Sequence, residues 1–135
     1  MLYLGINRPA IKLSPSSSSS GASSVRSNGN SFLEIKCFKA KAIGKLGFHV
    51  RPSCFISSLA LNFLETTITI YSYRSKLKND LKDIRGILAL EILQEDTFCI
   101  CAKGEKAQEA IDYISKTLKN NNYIEILEFM DKEDY

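Results

Sequence analysis

Apolar and polar positions change period several times along the chain, and each change marks an element. From Phe32 to Phe38 the alternation is of period two, with Phe32, Glu34, Lys36 and Phe38 on one side and Leu33, Ile35 and Cys37 on the other, which predicts a first strand. Gly44 and Gly47 break it into a loop. After Pro52 the apolar residues Phe55, Ile56, Leu59, Phe63 and Leu64 fall at helical spacing, and Pro52 suits a first helical turn because its missing N–H is not needed there. Thr66 to Tyr73 is β-branched and aromatic and predicts a second strand. Arg74 to Asn79 reads as a turn and a short exposed return strand. Asp80 or Asp83 is placed to cap a short helix over Ile84, Ile87, Leu88 and Leu90. Thr97 to Ala102 is a further strand, with Phe98, Ile100 and Ala102 on one face and Cys99 and Cys101 on the other. Glu105 to Lys119 carries the strongest helical stripe, made of Ala107, Ala110, Ile111, Ile114 and Leu118. The order βαββαβα predicts a small α+β sandwich over residues 32–122.

The two ends differ from this core. From Ser14 to Ser31 there are ten serines in eighteen residues, too little apolar surface to offset the entropy of ordering, so residues 1–31 read as a disordered Ser-rich extension. Their lack of Asp and Glu and their arginines also suit an organelle transit leader. Residues 123–135 read as an acidic extension in which Ile124, Ile126, Leu127, Phe129 and Met130 are set among acids; an added helix, a partner-binding segment and a frayed end all fit. No run approaches the ~20 apolar residues of a membrane span. The net charge of +3 is mild, which argues against a nucleic-acid binder.

Candidate chemistry concentrates at one loop. His49 is the single histidine, and Arg51 and Pro52 follow it at the start of the first predicted helix. A helix N-terminus offers free N–H groups and partial positive charge, both suited to a phosphate. A nearby Arg adds charge-assisted hydrogen bonds to phosphate oxygens, and imidazole is a competent nucleophile near neutral pH. Gly47 to Pro52 therefore suits a phosphohistidine site; a surface histidine with an unrelated arginine is the alternative on spacing alone. Cys37, Cys54, Cys99 and Cys101 fall in predicted strands and helix and read as small apolar residues in a reducing cytosol. A zinc site combining them with His49 is disfavoured for want of a Cys-x-x-Cys spacing.

The segment Gly47-Phe48-His49-Val50-Arg51-Pro52-Ser53 resembles the Gly-Leu-His-x-Arg-Pro-Ala motif of HPr, the histidine phosphocarrier family of the phosphoenolpyruvate-dependent phosphotransferase system. Lys82 to Leu90 resembles that family's Lys-Ser-Ile-Met-Gly-Val-Met-Ser-Leu segment, and Ala102-Lys103-Gly104-Glu105 its last strand-to-helix turn. The resemblance implies an open-faced β-sandwich, a four-stranded antiparallel sheet with three helices on one face. It implies a cytoplasmic, monomeric carrier of bacterial sugar transport, without a cofactor or metal of its own and without membrane insertion. His49 would accept a phosphoryl group on Nδ1 from enzyme I and pass it to a IIA component, with Arg51 stabilising the phosphate. Phe48, Val50, Pro52, Cys54, Ile84, Arg85 and Leu88 would meet the partners.

Two departures stand out. Asp83 occupies the position of the regulatory serine of Gram-positive members, so it reads either as a helix cap or as a partial, fixed phosphoserine mimic. The mimic reading implies a regulator of a transcription factor or kinase. Arg85 replaces an exposed apolar docking residue, and Ser57, Ser58 and Leu61 supply no positive charge for acidic partners. A generic α+β binding domain with a chance motif is the remaining alternative.

Overall fold

The computed structural model describes residues 34–135, and the Ser-rich segment 1–31 lies outside them. Five strands and three helices alternate: β1 (Ile35–Ala42), α1 (Val50–Ala60), β2 (Thr67–Ser72), β3 (Lys78–Asp80), α2 (Ile84–Ala89), β4 (Thr97–Lys103), α3 (Ala107–Asn120) and β5 (Ile124–Met130). All strand pairs are antiparallel, in the order β3-β2-β4-β1-β5. Among the described residues no helix is long and apolar enough to cross a membrane.

Period-two alternation decides which side of the sheet is covered. Phe38, Ala40 and Ala42 of β1, Ile68 and Ile70 of β2, and Phe98, Ile100 and Ala102 of β4 form one buried cluster with Ile56 and Leu59 of α1, Ile87 of α2, and Ile111, Ile114 and Leu118 of α3. Each of the larger side chains contributes roughly 1.5–3 kcal/mol by leaving water. The stripe expected on α3 is the stripe that is buried. Glu109 in its first turn and Lys119 in its last complement the helix dipole, while Glu105 falls just before the helix starts.

Three element boundaries differ from expectation. The first strand runs on to Ala42, because Ala40 and Ala42 continue the inward set that begins at Phe38. The first helix starts at Val50 and ends at Ala60, about one turn earlier than its apolar stripe suggested. Pro52 is its third residue, still within the turn whose N–H groups have no helical acceptor, so it does not stop the helix from starting upstream. Phe63 lies beyond the helix and packs against the core from the following turn.

The sheet has five strands, not four. Residues 124–130, read as part of an extension, pair with the edge of β1. Ile124 is buried, while Glu125 and Glu128 reach Lys41 and Lys39 of β1 at 3.7 Å each. The register shifts between Lys39 and Ala40, so Ile126 faces Ala40 and Glu128 faces Lys39. This irregularity breaks the alternation of β5 and hides the strand in the sequence.

The other side of the sheet carries a second cluster. Cys37 of β1 lies directly opposite Cys101 of β4 and is disulfide-bonded to it, with Cα atoms 4.1 Å apart. The expectation of free thiols therefore holds for Cys54, which is exposed, and Cys99, which is buried, but not for this pair. The pairing register places the two side chains on one face as nearest cross-strand neighbours, which brings the sulfurs together. Burial pushes the Cys99 thiol up to about 11.

The last residues fold back over this face. Tyr135 stacks on Tyr71 with ring centroids 4.0 Å apart, Asp134 pairs with Lys39 at 2.7 Å, and Glu133 pairs with Lys103 at 3.0 Å. The Lys39 ammonium holds the Asp134 carboxyl below its ordinary range, and the Tyr135 hydroxyl and Lys103 do the same for Glu133. Because both carboxyls are depressed when the tail is docked, their contribution is full above the unfolded values of about 4 and is lost as pH falls through the docked values. The tail is expected to stay docked at neutral pH and to detach in acid below about pH 4, and earlier at high salt. Tyrosine near-UV circular dichroism and carboxypeptidase trimming report this directly; a tail whose signal is flat from pH 7 to pH 2.5 would show that the ion pairs do not hold it.

Candidate functional site

The loop from Gly44 to His49 is fixed by backbone geometry before any functional side chain is placed. Gly47 has φ +62°, and a Cβ there would lie 2.2 Å from the Ile92 carbonyl oxygen and 2.7 Å from the Leu93 Cα. Only glycine permits this approach. The next residue, Phe48, donates its N–H to the Ile92 carbonyl at 2.9 Å, and its own carbonyl accepts from Ser53 Oγ at 2.9 Å. Its ring is buried edge-on against Phe98, with centroids 5.0 Å apart. With both backbone groups and the ring committed, Phe48 anchors the residue that follows.

That residue is His49, the N-cap of α1, in extended backbone conformation and exposed. Its carbonyl accepts the first helical bond, from the Ser53 N–H at 3.0 Å, and its side chain makes no capping bond. The imidazole is therefore held at the mouth of a helix N-terminus without being used to cap it. Arg51, second residue of α1, is exposed at the same end. The first turn of α1 thus carries free N–H groups, the positive end of the helix dipole and a guanidinium next in the chain to the imidazole's own position, a set suited to an anion with tetrahedral oxygens.

His49 also borders an open groove of about 360 Å³ lined by Leu46, Phe48, Arg74, Leu88, Glu91, Ile92 and Leu93. Arg74 is held at its edge by Asp96, Nε to Oδ2 at 2.9 Å, and Asp96 also accepts the Leu93 N–H at 2.8 Å. Leu46, Leu93 and Arg74 were not singled out from the sequence. The two leucines lie in loops outside any apolar stripe, and the arginine is brought in by the turn after β2.

The remaining candidates divide in two. Val50, Cys54, Ile84 and Arg85 are exposed, and Leu88 is partly exposed on the groove. Phe48 and Pro52 were expected to touch partners, but both are buried and position the loop. Asp83 is the N-cap of α2: its carboxylate accepts the Arg85 N–H at 3.0 Å. This is the capping geometry expected of it. The three clustered cysteines lie on the opposite sheet face and do not include His49 among their neighbours.

Known proteins resemble the chain over the region that contains this loop. The family described as the PTS HPr component phosphorylation site matches residues 37–120, a span that contains His49, Arg51 and Asp83. The histidine-containing phosphocarrier protein of a Mycoplasma is 29% identical, with a TM-score of 0.61, covering 66% of this chain and 98% of its own. HPr of Thermoanaerobacter tengcongensis is 24% identical, with a TM-score of 0.57, covering 62% and 91%. The phosphocarrier protein HPr of Bacillus anthracis is 23% identical, with a TM-score of 0.55, covering 61% and 94%. The last two likenesses speak for the fold. No curated protein sequence matches the chain.

Gly47→Ala is expected to destabilise the fold by about 2 kcal/mol or more, since it combines left-handed backbone with a clash against main chain. Thermal melting measures it, and a loss under 0.5 kcal/mol would mean that the loop can shift freely. Asp83→Ala should cost about 1 kcal/mol through the lost cap, with Asp83→Asn recovering most of it.

Proposed function

The chain belongs to the HPr family of the phosphotransferase system, and from that premise we propose that it is a phosphocarrier whose acceptor is His49. The observation that carries the reading is the coincidence of the family match with an exposed imidazole, not used as a cap, at the N-terminus of α1, two residues before Arg51. In this reading the His49 Nδ1 lone pair attacks phosphorus, and the bond from phosphorus to enzyme I breaks. Transfer to a histidine of a IIA component reverses the roles. The transition state is loose and its charge lies on the equatorial oxygens, so positioning and charge neutralisation carry most of the catalysis. Arg51 and the free N–H groups of the first turn supply both. The open groove lets a partner's histidine approach in line.

Docking rests on the apolar rim. Leu46, Val50 and Leu93 are 69%, 60% and 56% exposed, and Ile84 and Leu88 extend this surface on α2. Arg85 selects for an acidic partner. Cytoplasmic sugar transport in a bacterium is the setting this reading supplies. A second reading attaches to Asp83, whose exposed carboxylate sets a fixed negative charge where the resemblance to Gram-positive members implies a regulatory serine. It carries one charge, against about 1.5–2 for a phosphate, so any slowing of acceptance is partial.

Incubation with phosphoenolpyruvate and purified enzyme I should add one acid-labile phosphate by intact mass. His49→Ala should abolish it, and Arg51→Ala should slow it by about a hundredfold, the scale of losing one transition-state charge contact. Absence of label on the wild type, while a standard HPr is labelled in the same mixture, would end the carrier reading for that enzyme I. A regulator is then indicated if Asp83→Ser restores transfer.

A further inference from the structure

We propose that Cys37, Cys99 and Cys101, with the thioether of Met130, form a binding site for one soft thiophilic metal ion, Cu(I) in class, on the sheet face opposite His49. The three Sγ atoms lie within 4.8 Å of one another, and all three residues are at most 1% exposed. Three sulfurs around one ion at bonds of about 2.3 Å stand about 4 Å apart; Cys99 and Cys101 are already near that spacing, and Cys37 and Cys101 must part to it once their disulfide is reduced. They come from rigid positions. Cys37 and Cys101 face each other across β1 and β4, and Cys99 is two residues along β4 with its Sγ 3.6 Å from that of Cys101.

The donor set indicates the metal. Met130 of β5 is the cross-strand partner of Cys37 and packs on the cysteine cluster, so a soft thioether is available as an additional donor beside the tyrosine hydroxyls that also reach these sulfurs. Zinc favours four thiolate, imidazole or carboxylate ligands, and the single histidine lies elsewhere. Thiolate and thioether donors favour Cu(I). Lys39 and Lys103 border this face, each paired with a carboxylate of the tail, Asp134 and Glu133.

The chain after the family match completes the site. The match ends at residue 120, whereas Met130 and the tail lie beyond it. The tail closes the face, with the Tyr135 hydroxyl 3.8 Å from the Cys101 sulfur and its ring stacked on Tyr71. The Cys37–Cys101 disulfide and the ion exclude each other. A dithiol reductant supplies two electrons and two protons to open the bond, becoming a disulfide itself. Each thiol that then binds the ion releases its proton to water.

The test is anaerobic titration of the full chain, reduced with dithiothreitol and desalted, with Cu(I) against a chromophoric Cu(I) chelator. One equivalent should be retained, with a thiolate-to-copper absorption band in the near ultraviolet and a raised melting temperature. Protein oxidised with diamide should retain none. Cys99→Ser should weaken retention at least about tenfold, as loss of a direct ligand costs no less than loss of its supporting contacts. Met130→Leu keeps the volume and should weaken it less, and it serves where the cysteine variants do not fold. Removing residues 132–135 should speed loss to the chelator. The proposal is overturned if reduced protein retains no Cu(I), if Zn(II) is held and Cu(I) is not, or if the folded chain cannot be reduced. Retention abolished by Cys54→Ser, which would place the ion on the exposed thiol, overturns it equally.

Discussion

The hold of Phe48 on the core is the constraint from which the candidate site follows. Its ring sits against Phe98 in the middle of the sheet, its N–H is bound to Ile92, and its carbonyl is bound to Ser53. A residue fixed at three points leaves its neighbour little freedom, so His49 stands at the helix mouth held by its backbone, with no capping bond from its side chain. On the carrier reading that economy matters, because any hydrogen bond that oriented the imidazole would have to be broken for transfer. Gly47 is the second half of the device. Without a Cβ it lets the loop lie against the Ile92 and Leu93 backbone, which is what brings the Phe48 N–H into range.

The sheet separates two kinds of chemistry because its strands alternate. Inward residues of β1 and β4 are Phe38, Ala40, Phe98 and Ile100, and they meet the helices. Outward residues of the same strands are Cys37, Lys39, Cys99 and Cys101, and they meet the tail. A one-residue slip in either strand would exchange the two sets and place lysines in the core, so the register is strongly fixed. The disulfide between Cys37 and Cys101 reads out that register rather than creating it.

Much of this was legible from residue order, and the failures have local causes. The α3 stripe was clear because Ala107, Ala110, Ile111, Ile114 and Leu118 keep one period over four turns. Asp83 was legible as a cap because a carboxylate directly before an apolar run has few other local uses. The start of α1 was not, since Val50 and Arg51 contribute nothing to a stripe and Pro52 looks like a beginning. The strand β5 was missed because a register irregularity puts Ile126, Leu127 and Phe129 out of step with a simple alternation. The groove residues Leu46, Arg74 and Leu93 come from three separate loops, and no local pattern can join them. Burial of Phe48 and Pro52 was hidden for a different reason: their neighbours His49 and Arg51 are exposed, and a functional motif read as a unit does not reveal which of its members support the others.

The openness of the groove bears on how such a site can act. A group that transfers phosphoryl between proteins must exclude water at the moment of transfer, or the phosphoryl group is lost to hydrolysis. Here His49 and Arg51 are exposed, and the groove walls are loops apart from Leu88 of α2. On the carrier reading the isolated chain therefore supplies the nucleophile and the charge but not the enclosure. The exposed leucines and Val50 around the imidazole are the part of the surface that gains most from being covered. On the carrier reading, docking and dehydration are one event: the apolar rim that attracts a partner is the rim that seals the site, and the low dielectric it creates strengthens the Arg51 and helix N-terminal contacts when the transferring oxygens need them. Arg85 adds a requirement for negative charge on that partner at the edge of the same rim, where it affects encounter more than the tightness of the seal.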